Sequence, residues 1–203
     1  ATLAELVAGF HLAEHAVAAE LAPYVAAAGD SAAAECFAVQ AGDEGRHARF
    51  FDRVAGEVLP IDDTNGLTPP GIRELFVDIL PATALTLAAD DGELPAAVGL
   101  YHLVLEGIVF AVGQEALLAL ARDHGLTGVA DGVARVQGDE RWHIGLGVLA
   151  LQRLGTAVDV DQHTRRALAA WGPRIATPER VERTLAVHAR RCAIAAQQDA
   201  ATR

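Results

Sequence analysis

The sequence predicts an all-α protein, a bundle of four long helices with additional helices at its C-terminal end. Three observations predict this. The chain is rich in alanine and only 5 % aromatic, a mix that favours helix over sheet. Apolar residues recur at three- and four-residue steps, and no segment alternates convincingly with a period of two. Short Gly-containing turns join the long segments in two pairs, as in antiparallel helical hairpins. At 203 residues the chain reads as a single domain, 1–203.

The first helix is expected from Thr2 to about Ala28, with Leu3, Leu6, Val7, Phe10, Ala13, Val17 and Leu21 on its apolar face. Gly29-Asp30-Ser31 stops it and caps a second helix, Ser31 to Val58, which ends before Pro60. Residues Pro60 to Gly71 read as a loop, and Ile72 to Ala89 as a helical stretch interrupted by Pro81. A long helix starts near Pro95 and runs to Asp123. After the turn His124–Gly128, another runs from Val129 to Leu154. Two C-terminal helices follow, Asp161 to Trp171, and Thr177-Pro178-Glu179 onward to about Ala200.

The net charge of −11 argues against a phosphate-backbone binder, which needs a basic face, and equally against an anionic membrane surface. No stretch reaches the ~18 uninterrupted apolar residues of a membrane span. No basic segment followed by an apolar one opens the chain, so no signal peptide is expected. Ala1 fits removal of an initiator methionine, although no Met occurs elsewhere. The expected location is cytoplasmic, with Cys36 and Cys192 as free thiols.

The chemistry lies in two repeated motifs, Asp43-Glu44-Gly45-Arg46-His47 and Asp139-Glu140-Arg141-Trp142-His143. Residues three apart share a helix face, so each Glu and His can reach one metal ion. A single Glu-x-x-His is expected about 0.5 times by chance in this composition, but two copies, each preceded by Asp, are not. Each copy has a lone glutamate on the preceding long helix, Glu14 and Glu106. Glu106 sits within Leu103-Val104-Leu105-Glu106-Gly107-Ile108-Val109-Phe110, where a carboxylate is costly unless paired or metal-bound. Glu14, Glu44, His47, Glu106, Glu140 and His143 are therefore the expected ligands of two metal ions, with Glu44 and Glu140 as bridges. Carboxylate oxygen with imidazole suits iron or manganese. Asp43 and Asp139 are expected behind the metal site, each reaching the histidine of the opposite helix. The other histidines, His11, His15, His102, His124, His163 and His188, read as surface or packing residues.

With these residues identified, the chain resembles the ligand-binding oxidases related to the ribonucleotide reductase small subunit, in the ferritin-like dimetal-carboxylate superfamily. Phe10-His-Leu-Ala-Glu14-His-Ala-Val17, Glu20-Leu-Ala-Pro23 and Tyr101-His-Leu-Val-Leu-Glu106-Gly107 carry the resemblance. It covers Val7 to Leu154. It implies a ferritin-like bundle, a Mn/Fe or di-iron pair on the six ligands, a long-chain fatty-acid-like ligand, and a homodimer. It also implies an ether cross-link between Val17 and Tyr101. The sequence departs from the pattern at His15, where a second acidic residue is expected, and at Gln114, where a tyrosine is expected.

The expected function is an oxidase or oxygenase that activates O2 for C–H oxidation. The competing readings are a ferroxidase or peroxide scavenger and the radical-generating small subunit of ribonucleotide reductase. Against the last, Phe51 stands where a radical tyrosine is usual, and no tyrosine follows Tyr101.

Overall fold

The computed structural model describes residues 2–156 and 158–197. Among them every regular element is helical. Helix α1 (Thr2–Glu20) packs along α3 (Ser31–Arg53), with the short α2 (Ala22–Ala27) at their turn. Leu21 breaks the first segment into α1 and α2, where one helix had been expected, because Pro23 fits a first turn but not a helix interior. Asp30 caps α3, its side chain accepting from the Ala33 amide. The helix then widens into a π-helical turn, Val54–Val58.

The expected loop contains two single-turn helices, α4 (Thr64–Leu67) and α5 (Pro70–Arg73). A π-helical segment, Glu74–Ile79, leads directly into α6 (Leu80–Ala89). Pro81 lies in the first turn of α6, just past the widened segment, so it does not break the helix. After a 3₁₀ turn, Asp91–Glu93, the central helix comprises α7 (Leu94–Val98), a twelve-residue π-helical stretch (Gly99–Phe110) and α8 (Ala111–Asp123). Helix α9 (Thr127–Leu154) closes the second hairpin and ends at Gly155, whose positive φ suits a residue without a Cβ. Helices α10 (Asp161–Ala170) and α11 (Pro178–Ala195) lie against the central helix. Of the expected last helix, residues 198–200 lie outside the described residues.

All twelve residues of Gly99–Phe110 are buried. The span Asp91–Asp123 is long and apolar enough to cross a membrane, but 72 % of its most apolar window is buried inside the protein. Its hydropathy serves packing on every side, and it carries Tyr101, His102 and Glu106 in the middle.

A π-helical stretch leaves carbonyls poorly matched to the regular ladder, so partners from elsewhere matter. The C-terminal segments supply them. Trp171 Nε1 donates to Val109 O at 2.7 Å, and Arg191 Nη1 donates to Gly107 O at 3.0 Å. His188 Nδ1 lies 3.2 Å from Leu103 O. The additional C-terminal helices thus clamp the irregular segment that holds Glu106. The core beside it is aromatic: Phe10 stacks on Phe51 at 5.1 Å and also meets Phe110 and Trp171.

Candidate metal centre

Four helical segments bring the six expected ligands together. Glu14 comes from α1, Glu44 and His47 from α3, Glu106 from the π-helical stretch, and Glu140 and His143 from α9. None is more than 4 % exposed. Potential ligand atoms of Glu14, Glu44, His47 and Glu140 lie within 4.8 Å of one another, and so do those of Glu44, Glu106 and His143. Glu44 belongs to both groups, while His47 and His143 belong to different ones.

The imidazoles sit among the carboxylates. His47 Nδ1 lies 3.1 Å from Glu44 Oε2 and 3.6 Å from Glu14 Oε2. His143 Nδ1 lies 3.1 Å from Glu44 Oε1, 3.3 Å from Glu106 Oε1 and 3.7 Å from Glu140 Oε2. The second nitrogen of each ring faces outward across the bundle, His47 Nε2 to Asp139 Oδ2 at 3.1 Å and His143 Nε2 to Asp43 Oδ2 at 3.3 Å. Arg46 also pairs with Asp43.

Gathering four carboxyl groups away from water perturbs their protonation. Burial, opposed by the neighbouring His47, pushes Glu14 up to about 8. Burial and the neighbouring Glu140 charge raise Glu106 well above the usual range, and burial raises Glu140 as well. Burial would also raise Glu44, but the adjacent imidazoles of His143 and His47 outweigh it and hold that carboxyl well below its ordinary value. Burial works against charge on the two histidines. The adjacent carboxylates of Glu14 and Glu44 nevertheless raise His47 to about 12, and those of Glu106, Glu140 and Glu44 raise His143 as well.

The donor set fits metal ions on one further count. Six buried side-chain nitrogen or oxygen atoms lack a hydrogen-bond partner among the described residues, and five are in this cluster: Glu14 Oε1 and Oε2, Glu106 Oε2, Glu140 Oε2 and His143 Nδ1. Such atoms are costly to bury with nothing to bind. A cation among them would complete their coordination.

Three neighbours were not assigned to the centre from the sequence. Gln40 Nε2 donates to Glu106 Oε1 at 2.8 Å, and Gln40 Oε1 lies 3.0 Å from His102 Nε2. His102 is fully buried as a packing residue, and burial lowers its pKa to about 3. Gln114 Nε2 donates to Glu140 Oε1 at 3.3 Å. The findable signal was spacing, since Gln40, Glu44 and His47 fall at i, i+4 and i+7 on one face. Tyr101 donates its hydroxyl to Glu44 Oε1 at 2.9 Å, and Val17 is fully buried on α1 three residues after Glu14.

No family model matches the chain. Solved structures do. A tyrosine-to-phenylalanine variant of an R2-like ligand-binding oxidase, with an aerobically reconstituted Mn/Fe cofactor, superposes with a TM-score of 0.82 at 20 % identity, over 95 % of this chain and 79 % of that one. The fold is that of the R2-like ligand-binding oxidases. Valine-to-leucine and valine-to-alanine variants with anaerobically reconstituted Mn/Fe cofactors give TM-scores of 0.80 at 19 % and 20 % identity, over the same shares. Within this R2-like oxidase fold, the chain's most irregular helical stretch carries one of the lone glutamates.

Proposed function

We propose that the protein is an O2-dependent dimetal oxidoreductase that holds a Mn/Fe or Fe/Fe pair through Glu14, Glu44, His47, Glu106, Glu140 and His143. The observation that carries this is the convergence of the six donors around unpaired buried atoms. Solved structures of the same fold with Mn/Fe cofactors support it.

The metal pair supplies the redox chemistry, activation of O2 for C–H oxidation. The chain's residues do the rest. Glu44, whose carboxylate lies among the donors of both groups, would hold both ions, with Glu140 as the second candidate to do so. Asp139 and Asp43 fix the rotation of the two imidazoles and so present Nδ1 inward. Gln40 holds Glu106, with His102 behind it, and Gln114 holds Glu140. Apolar residues of the bundle exclude water, and Tyr101 keeps its proton, because burial and the charge of Glu44 raise its pKa well above the ordinary value.

A fatty-acid-like ligand is part of the proposal. Between α3, α7 and α9 lies a largely apolar groove of about 760 Å³, lined by Phe37, Leu94, Leu146, Leu149 and Leu154 with Arg153 among them. Its walls suit an alkyl chain, and the guanidinium suits a carboxylate. Phe37 connects inward to Tyr24 and His102, and Tyr24 to Tyr101. At the position where a radical-generating subunit needs a phenol, Phe51 instead stacks on Phe10. A homodimer also belongs to the proposal, tested by sedimentation at micromolar concentration.

Elemental analysis after anaerobic loading tests the central claim. Two equivalents of Mn plus Fe per chain are expected, and less than half an equivalent overturns it.

A further inference from the structure

Outside the buried centre, a second set of metal-type donors meets on the outer side of the α1–α3 hairpin. His11 and His15 are four residues apart on α1 and share a face. Asp52, on α3, lies opposite both. Its Oδ1 is 3.0 Å from His11 Nε2 and 2.7 Å from His15 Nε2, and the two imidazole centroids are 5.0 Å apart. His11 is partly covered, while His15 and Asp52 are about half exposed. The arrangement has a rigid base: Phe10 and Phe51, the residues just before His11 and Asp52, are fully buried and stacked at an interplanar angle of 12°. The core stack therefore fixes the register that brings the three polar side chains together.

We propose that His11, His15 and Asp52 form a third metal site, which takes a divalent transition ion of the zinc class and ties α1 to α3. Ligand–metal bonds of ~2.0–2.2 Å place adjacent ligand atoms roughly 3–3.5 Å apart. The two imidazole–carboxylate distances lie within a few tenths of an ångström of that range, so side-chain adjustment alone admits an ion. Two imidazoles with one carboxylate suit a borderline ion such as zinc, cobalt or nickel, whereas calcium and magnesium prefer all-oxygen shells. Without an ion, both ring nitrogens must carry protons to satisfy one carboxylate oxygen. An ion replaces both contacts, each neutral ring then carrying its proton on Nδ1 instead of Nε2. Water completes its coordination on the exposed side. The site differs in kind from the buried centre, having one carboxylate where that has four, and its effect is to brace the hairpin that carries Glu14, Glu44 and His47.

The test uses Co2+ as probe, with equilibrium dialysis and visible absorption on the full chain. Wild type should bind one equivalent that His15→Ala loses or binds at least about tenfold more weakly, with the remaining equivalents unchanged. The double variant His47→Ala/His143→Ala should keep that equivalent, so failure of the buried-centre reading is distinguishable from failure of this one. Should the double variant not fold, hyperfine-shifted imidazole proton resonances that appear with Co2+ in wild type and are fewer in His15→Ala decide the matter. The proposal is overturned if His15→Ala binds cobalt as wild type does, if it loses every equivalent together, or if those resonances do not change.

Discussion

His47 Nε2 of α3 lies 3.1 Å from Asp139 Oδ2 of α9, and this contact turns the other ring nitrogen toward Glu44 and Glu14. His143 and Asp43 return the relationship in the opposite direction. Each aspartate therefore reaches the candidate centre from the helix that does not carry its histidine. Asp139→Ala should weaken metal affinity about 10–100-fold, measured by competition with a chelator. Asp43→Ala should do the same and also lower the melting temperature of the metal-free protein. Asp43 is buried and pairs with Arg46, whereas Asp139 is partly exposed. Wild-type affinity in both variants would show that the cross-bundle contacts do not orient the ligands.

The metal-free protein should lose stability as pH rises above about 4.5, the ordinary value for a glutamate carboxyl. Glu14 keeps its proton in the native state up to about 8, but loses it near 4.5 when unfolded. Between those values the native state binds more protons, so stability falls with rising pH. His47 acts in the same direction: its folded value near 12 lies above its ordinary 6.5, so its contribution is full below 6.5 and declines above it. Glu44, held low, contributes above its ordinary 4.5, a contribution lost only as pH falls below that. Metal displaces the native-state protons, so the melting-temperature gain on loading should widen from pH 5 to pH 8. Paired melts at each pH, with and without Mn2+ and Fe2+, check this. A constant gap would mean that the buried groups titrate normally.

Helix periodicity and the two Asp-Glu-x-x-His motifs made much of the arrangement legible. Glu44 and His47 share a face because the α-helix repeats every 3.6 residues, and the structure keeps that geometry around both motifs. The central stretch was not legible. Five residues separate Tyr101 from Glu106, which on an α-helix places them about 140° apart. The Gly99–Phe110 segment hydrogen-bonds from i to i+5, which brings residues five apart closer to one face. That register depends on Trp171, His188 and Arg191, more than 60 residues away, and no local pattern encodes it. His102 read as a surface or packing residue, and the structure makes it a packing one. It is buried because the whole stretch is enclosed. The break at Leu21 was legible in Pro23, which the apolar periodicity masked.

Gly147 shows how tightly the centre's support is packed. A Cβ at this position would stand 2.2 Å from His102 Cβ and 2.4 Å from its Cγ. Gly147→Ala must displace His102, and with it the Gln40–Glu106 contact. Overpacking of this kind costs about 1–3 kcal/mol. Stability of the metal-free variant should fall by that amount, and its metal affinity should fall with it. A chelator titration showing lower stability but unaltered affinity would separate His102 from the hold on Glu106.

The last prediction concerns Val17 and Tyr101. Tyr101 points its hydroxyl at Glu44, the carboxylate shared by both ligand groups, and Val17 is buried on the α1 segment that carries Glu14. A valine Cβ carries a tertiary C–H, and the phenol oxygen of Tyr101 is the atom that would bond to that carbon. Joining them breaks one C–H and one O–H bond, forms one C–O bond, and transfers two electrons and two protons to O2 as the oxidant. Intact mass should therefore fall by about 2 Da after aerobic metal loading, with the metal pair supplying the oxidising chemistry that the side chains lack. Anaerobic loading should leave the mass unchanged. Tyr101→Phe keeps the ring packing against Tyr24 but removes the phenol oxygen, so it should bind both metals and show no mass loss. Val17→Ala removes the tertiary C–H and should do the same. Peptide mapping that returns only unlinked Val17 and Tyr101 peptides from the aerobically loaded protein would refute the cross-link and leave the metal assignment to be judged by stoichiometry.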